Sequence, residues 1–260
     1  FSATRNAEGQ KRPMATEFNR GTVLNRSAAA EQIDEGLRSY MLRVYNYMTT
    51  GLALTGVVAY LFSSTPALLQ LLYTPTPGGG YSPTILAWAA MLAPLAFVMV
   101  LSFGINRMKA STAQLVFWLF AGVMGMSMAN IFLMFTGESI ARVFFITAAT
   151  FAGMSLYGYT TKRDLSGLGS FLMMGLIGII LASIVNIFIG STMMQFIISI
   201  IGVLVFTGLT AYDTQKIKEM YNELDGSEVA GKKAIMGALS LYLDFINLFM
   251  MLLHLFGNRE

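Results

Sequence analysis

The chain has no cysteine and a single histidine, His254, among its 260 residues. Without cysteine it can form no disulfide, no thiolate nucleophile and no zinc site built on cysteine. One histidine cannot supply a cluster of nitrogen ligands, and no glycine-rich loop ends in a phosphate-binding lysine. The formal net charge of +3 is too small to indicate a nucleic-acid partner. No bound cofactor is therefore expected.

Charge is also scarce, at 12% of residues, about half the share that is usual in soluble domains. The charges that exist are clustered, and they leave four long runs with no charged residue. These runs cover residues 44–106, 110–137, 143–161 and 165–212. Because roughly 20 apolar residues cross a bilayer as a helix, the sequence predicts an all-α, polytopic protein whose main partner is the lipid bilayer.

Apolar runs and turn residues together predict seven transmembrane helices. Their expected ranges are 44–62, 84–105, 112–135, 140–160, 168–189, 193–215 and 234–256. Residues 1–38 are expected to be a polar, mobile tail, because they are rich in Lys and Arg and contain no apolar core. Residues 39–260 would then form the transmembrane domain.

The distribution of Lys and Arg predicts the orientation. Fifteen of the 17 precede the first predicted helix or lie in the loops after the second, fourth and sixth predicted helices, and the other two are Arg142 and Arg259. Positive residues favour the cytoplasmic side of a membrane. The sequence therefore predicts a cytoplasmic N-terminus and a C-terminus outside the membrane.

Two aspartates interrupt the predicted spans. Asp244 lies in the middle of the last one, and Gly237, Ser240 and Asn247 share its face of the helix at spacings of three and four residues. A carboxylate at this depth costs at least a few kcal/mol unless it is paired, hydrated or protonated. A functional role is favoured over a hydrogen-bonded strut, which Asn or Ser would provide at lower cost.

Asp213 lies near the cytoplasmic end of the sixth predicted helix, where the helix dipole disfavours negative charge. An interfacial carboxylate in contact with water is an equally good interpretation of this residue alone. Counting depths from Lys216 and from Lys233 separates the two aspartates by roughly 10 Å. The spacing alone does not bring them together, unless the sixth helix continues past Lys216 or the seventh begins later or tilts.

Two enzyme classes can be tested against the sequence. Ser155 resembles the nucleophile of an intramembrane protease, but His254 lies towards the opposite membrane face and cannot serve as its base. A retinal protein would need a lysine within a span, and no predicted span has one. No enzyme is predicted.

Two motifs closely resemble the transmembrane Bax-inhibitor-motif family. They are Thr207-Gly-Leu-Thr-Ala-Tyr-Asp-Thr-Gln-Lys-Ile-Lys218 and Gly237-Ala-Leu-Ser-Leu-Tyr-Leu-Asp-Phe-Ile-Asn-Leu-Phe249. Weaker similarity extends over all seven spans, and a bacterial member fits best. The resemblance implies a seven-helix fold with the last helix in the centre, wrapped by the other six.

The resemblance also implies a pH-sensitive calcium leak. Asp213 and Asp244 match the family's acidic pair at the pore, where they would share a proton and bind calcium transiently. Thr210, Ser240 and Asn247 would be supporting polar residues. Some members carry an arginine latch at the end of the second helix, and the nearest positions here are Asn106 and Arg107.

Two functions of different classes therefore remain. The first is a proton-gated calcium leak in the bacterial inner membrane, formed by a monomer. The second is a regulatory membrane protein that binds another membrane protein, such as a membrane protease or a cell-death regulator.

Overall fold

A computed structural model describes residues 14–76 and 80–258, with side chains from residue 35 onward. The structure is almost entirely helical. Its elements are α1 (Met14–Ser64), α2 (Pro66–Leu72), β1 (Tyr73–Pro75), β2 (Tyr81–Pro83), α3 (Ile85–Gly104), α4 (Ala110–Ser127), a 3₁₀ turn (Met128–Asn130), α5 (Ile131–Met134), α6 (Gly137–Thr160), α7 (Ser166–Ile189), α8 (Thr192–Glu219) and α9 (Ser227–Phe256). The two short strands pair antiparallel in the loop that the sequence marks with prolines.

The described part of the chain contains six helical spans long and apolar enough to cross a membrane, and a seventh if α1 and α2 are counted as one bent span. One of the six combines α4, the 3₁₀ turn and α5. The bend between α1 and α2 is 98°. Pro66 explains the bend, because it begins α2 without a backbone N–H and holds Thr65 in an extended conformation. The all-α membrane fold is confirmed.

Helix α9 lies at the centre of the bundle. In its membrane-spanning stretch, 67% of the residues are buried, against 11–33% in the other five spans. It packs chiefly against α1, α4, α6 and α8, while α3 packs on α4 and α7 packs on α8. The last helix is thus central, as predicted, although four helices rather than six form most of its immediate surroundings. The central position suits a helix that carries Asp244, because lipid offers no partner for a polar side chain.

The three loops that carry the positive charges meet at one end of the bundle. Glu228 of α9 accepts a hydrogen bond from the Ala110 N–H at the start of α4, at 2.6 Å. Lys218 of α8 donates to the Tyr159 carbonyl near the end of α6, at 2.8 Å. At the other end, Asn258 donates to Ser139 at the start of α6. The grouping of loops agrees with the predicted topology, while the choice of membrane side stays a prediction.

The predicted tail is only partly described. Residues 1–13 and the side chains up to residue 34 lie outside the described part, so the mobility and the boundary of the tail at residue 38 stay predictions. Helix α1 begins at Met14, thirty residues before the predicted start of the first span at Val44. Hydropathy marks where the chain enters hydrocarbon, and a helix can continue beyond that point into water.

Candidate functional site: two aspartates between α8 and α9

Small residues allow α8 and α9 to pack closely side by side in opposite directions. A Cβ on Gly202 of α8 would meet Met251 at 2.7 Å, and one on Gly237 of α9 would meet Ile217 at 3.0 Å. Small residues at such positions let helix backbones approach in a membrane. The two contacts set the register of the pair, in which Ile217 lies level with Gly237 and Gly202 with Met251.

This register brings the aspartates closer than the sequence alone suggests. Lys233 donates to the Met220 carbonyl at 2.9 Å, so it lies level with Met220 and not with Lys216. Helix α8 also continues past Lys216 to Glu219. Asp213 is seven residues from Met220 and Asp244 is eleven from Lys233, a difference of four residues or about 6 Å along the axis. The separation of roughly 10 Å expected from depth counting was therefore too large.

The two carboxylates are within range of a direct electrostatic interaction. Asp244 is only 6% exposed. Its Oδ2 atom is buried and has no hydrogen-bond partner among the described residues. Asp213 is half-buried, and Lys216, one turn further along α8, is a cation within electrostatic range of it. The structure thus places an acidic group with no hydrogen-bond partner among the described residues in the core, within electrostatic range of a second acidic group.

Three hydroxyls line the same stretch of α8. Thr207, Thr210 and Thr214 recur at spacings of three and four residues and therefore share a face. Thr210 and Thr214 are fully buried and donate to the carbonyls of Phe206 and Thr210, at 2.8 and 2.7 Å. The Thr207 hydroxyl is buried and lacks a partner among the described side chains and backbone. The stretch of α8 around Asp213 therefore carries several buried hydroxyls.

A chain of hydroxyls connects this face to α1 and α6. Thr214 uses its proton on the Thr210 carbonyl, so Ser155 donates to Thr214 at 2.9 Å and Tyr45 donates to Ser155 at 2.6 Å. Ser155 is therefore held in a structural hydrogen bond. His254, at 2.7 Å from the Met250 carbonyl, is engaged on its own helix.

The residues predicted to support the pair do not bond to it. Asn247 donates to the Leu243 carbonyl of its own helix at 2.8 Å, and Thr210 is engaged as described above. Ser240 is half-buried and forms no hydrogen bond with the described residues. Asn106 and Arg107 lie in the turn after α3, which packs mainly on α4. The described structure records no bond from either of them to Asp213, so the latch stays a prediction.

Tyr242 is a buried polar residue that the sequence analysis missed. It is fully buried against Phe117 and Phe120 of α4, and its hydroxyl lies 2.6 Å from Thr55 of α1. Thr55 donates to the Ala121 carbonyl at 2.8 Å, so Tyr242 is the donor to Thr55. The sequence did offer a signal for this residue, because Tyr242 is a polar side chain in the apolar motif around Asp244, two residues before it.

We expect Tyr242→Phe to lower the free energy of unfolding by about 1 kcal/mol, the typical value of one buried hydrogen bond. The apparent midpoint of thermal unfolding in detergent would measure it. Tyr60→Phe is the matched control, because Tyr60 is 59% exposed and its replacement should change stability by less than about 0.5 kcal/mol. Equal midpoints for both variants would contradict the structural role of the Tyr242 hydroxyl.

Among the described residues, no third acidic or histidine side chain joins the pair. In the described ranges, no group of three or more His, Cys, Asp or Glu residues could hold a metal ion together. Calcium takes six to eight oxygen ligands in its stable protein sites. Two carboxylates therefore suit a cation in transit, with water or backbone oxygens completing its shell, better than one held permanently.

Comparison with known proteins identifies relatives along almost the whole chain. A sequence model of the family described as "Inhibitor of apoptosis-promoting Bax1" matches residues 37–260. The inner membrane protein YbhL of Escherichia coli is 46% identical over 237 residues, which are 90% of this chain and 98% of the relative. A protein of Rickettsia prowazekii is 48% identical over 92% of this chain and 97% of its own length. A membrane protein of Streptococcus pyogenes is 36% identical over 88% of this chain and 96% of its own length.

Proposed function

The chain belongs to the Bax inhibitor family of membrane proteins, and from this premise we propose that it is a pH-sensitive leak pathway for Ca²⁺, without enzymatic activity. Asp213 and Asp244 are its proton sensor and its constriction. Calcium is the transported ion, and the aspartates bind it only transiently. The chain works as a monomer in the bacterial inner membrane, with its N-terminus in the cytoplasm.

One observation carries this proposal: the Oδ2 atom of Asp244 is buried and has no hydrogen-bond partner among the described residues. A buried carboxylate with an unsatisfied oxygen is expensive, and a structural strut would have that oxygen bonded. Two ligands can relieve the cost. One is a proton, which neutralises the group, and the other is a cation, which supplies the missing positive charge.

The second carboxylate makes proton binding and cation binding compete with each other. When the pair holds a proton, its negative charge is reduced and a divalent cation is attracted less strongly. When the proton leaves, two negative charges lie close together and favour Ca²⁺, a hard cation that prefers oxygen ligands. Proton and calcium occupancy are thereby linked at one place in the bundle, which is the basis for a pH-dependent flux.

The experiment is a measurement of calcium flux in proteoliposomes that contain the purified full chain and an internal calcium indicator. We expect flux above that of protein-free vesicles, with a rate that changes by at least a few-fold between about pH 5 and pH 8. The matched measurement replaces Ca²⁺ with K⁺ and a potassium indicator. A calcium flux equal to that of empty vesicles at every pH would contradict the proposal.

A second function is favoured by the family description, which names inhibition of an apoptosis-promoting protein. In this alternative, the chain binds and regulates another membrane protein, and its activity resides in the tail or in the α8–α9 loop. The two functions differ in what they require. A regulator would keep its activity when both aspartates are replaced by asparagine, whereas a leak through the pair would lose it.

A further inference from the structure

A long apolar groove runs between α1 and α6 and is separate from the aspartate pair. Its volume is about 1110 Å³. Phe245 of α9 lies at its base, and Phe144 and Phe151 of α6 form part of one wall. Along α6 it extends from Phe144 to Tyr159, which is about 22 Å at the rise of an α-helix.

Three hydroxyls that line the groove, those of Tyr45, Thr49 and Ser155, are already hydrogen-bonded. Tyr45 and Ser155 are bonded to one another across it, and the Thr49 hydroxyl donates to the Tyr45 carbonyl at 2.8 Å. An occupant would thus find aliphatic and aromatic surface and few free hydrogen-bonding groups. Because the groove lies along the outside of transmembrane helices, the molecules that can enter it from the side are membrane lipids.

One end of the groove is positively charged. Among the described residues, Arg38 is the only charged one that lines the groove, and its exposed side chain makes no ion pair with any of the others. Lys218 adds charge at the same end, since its Nζ lies 5.9 Å from the centre of the Tyr159 ring. This is the end where the three basic loops meet. Basic residues at the mouth of an interhelical pocket are suited to an anionic lipid headgroup.

The length of the groove also suits a lipid. One leaflet contributes about 15 Å of hydrocarbon, so a groove of about 22 Å can take a whole acyl chain that starts at its charged end. We propose that the α1–α6 groove binds one acyl chain of an anionic phospholipid from the leaflet on the basic side, with its phosphate paired to Arg38. This lipid would stay bound, while lipids on the other lipid-facing surfaces of the bundle exchange with the bilayer.

Two glycines allow a test with little effect on folding. A Cβ on Gly56, which lines the groove, would meet nothing within 4 Å, and the same holds for Gly153, which does not line it. Gly56→Leu therefore fills the groove, and Gly153→Leu is its matched control. Arg38→Gln removes the charge at the mouth, with Arg43→Gln as control because Arg43 lies outside the groove.

The measurement is native mass spectrometry of the full chain, freed of lipid in detergent and titrated with palmitoyl-oleoyl phosphatidylglycerol or phosphatidylcholine. We expect one tightly held phosphatidylglycerol, with binding weakened about tenfold or more by Gly56→Leu, the scale of a small clash in an apolar pocket. Gly153→Leu should match the unmodified chain. Arg38→Gln should remove the preference for phosphatidylglycerol, and Arg43→Gln should preserve it.

Three results would overturn the proposal. The first is equal lipid binding by Gly56→Leu and Gly153→Leu. The second is an unchanged headgroup preference in Arg38→Gln. The third is a protein dimer that only Gly56→Leu abolishes, since a second copy of the chain would then occupy the groove.

Discussion

Asp244→Asn is expected to lower calcium flux in proteoliposomes by about tenfold or more and to leave the remainder independent of pH. Asparagine has nearly the same shape but neither titrates nor carries charge. Removing one of two charges from a poorly hydrated site weakens the attraction for a cation by more than about 1.4 kcal/mol, which corresponds to a factor of ten. The flux assay described for the unmodified chain, repeated over the same pH range, measures both effects.

Asp164→Asn is the matched control for this variant. Asp164 lies in the loop between α6 and α7, and its Oδ1 accepts a hydrogen bond from the Ser166 N–H at 2.8 Å. Hydrogen bonds from the Ser166 side chain and backbone hold the pKa of the Asp164 carboxyl below its usual value. It is therefore ionised throughout the assay, and its replacement should leave flux and pH dependence unchanged.

Asp213→Asn tests the second member of the pair. The flux and its pH dependence should both fall, as for Asp244→Asn, but by a smaller amount, because Asp213 is half-buried and has Lys216 within electrostatic range.

Normal, pH-dependent flux in Asp244→Asn would remove the leak mechanism, provided that the variant keeps the thermal unfolding midpoint of the unmodified chain.

The sequence predicted the elements of this fold better than their ends. Long apolar runs located the helices, because a backbone in hydrocarbon has few alternatives to the α-helix. Hydropathy could not show that α8 continues to Glu219 or that α9 begins at Ser227, because these turns lie among polar residues. The relative depth of the two aspartates depended on those ends, and it is the quantity that depth counting estimated wrongly.

The aspartates themselves were recognisable because a charge within an apolar run is rare and costly. The groups around them were harder to predict. The Tyr45–Ser155–Thr214 chain joins three helices that are far apart in sequence, and hydroxyls are common in membrane helices for ordinary packing reasons. Their partners are determined by how helices rotate against one another, which local periodicity does not specify.

Gly158→Ala is expected to destabilise the fold by about 2–3 kcal/mol, the usual range for overpacking a close interface. A Cβ on Gly158 of α6 would collide with the backbone carbonyl of Ala211 on α8, and a backbone cannot move aside as a flexible side chain can. One turn away, the Ser155–Thr214 bond at 2.9 Å holds the same two helices together. The apparent midpoint of thermal unfolding in detergent should fall by roughly 5–10 °C.

Gly153→Ala separates this collision from the general effect of adding a methyl group to α6. Gly153 lies on the same helix, and a Cβ there would meet nothing within 4 Å. Alanine is favoured over glycine within a helix by about 0.5–1 kcal/mol, so this variant should be as stable as the unmodified chain or slightly more stable. Because Ala211 is two residues from Asp213, Gly158→Ala should also disturb calcium flux, while Gly153→Ala should not. Similar midpoints for the two variants would show that α6 and α8 are not in backbone contact at this point.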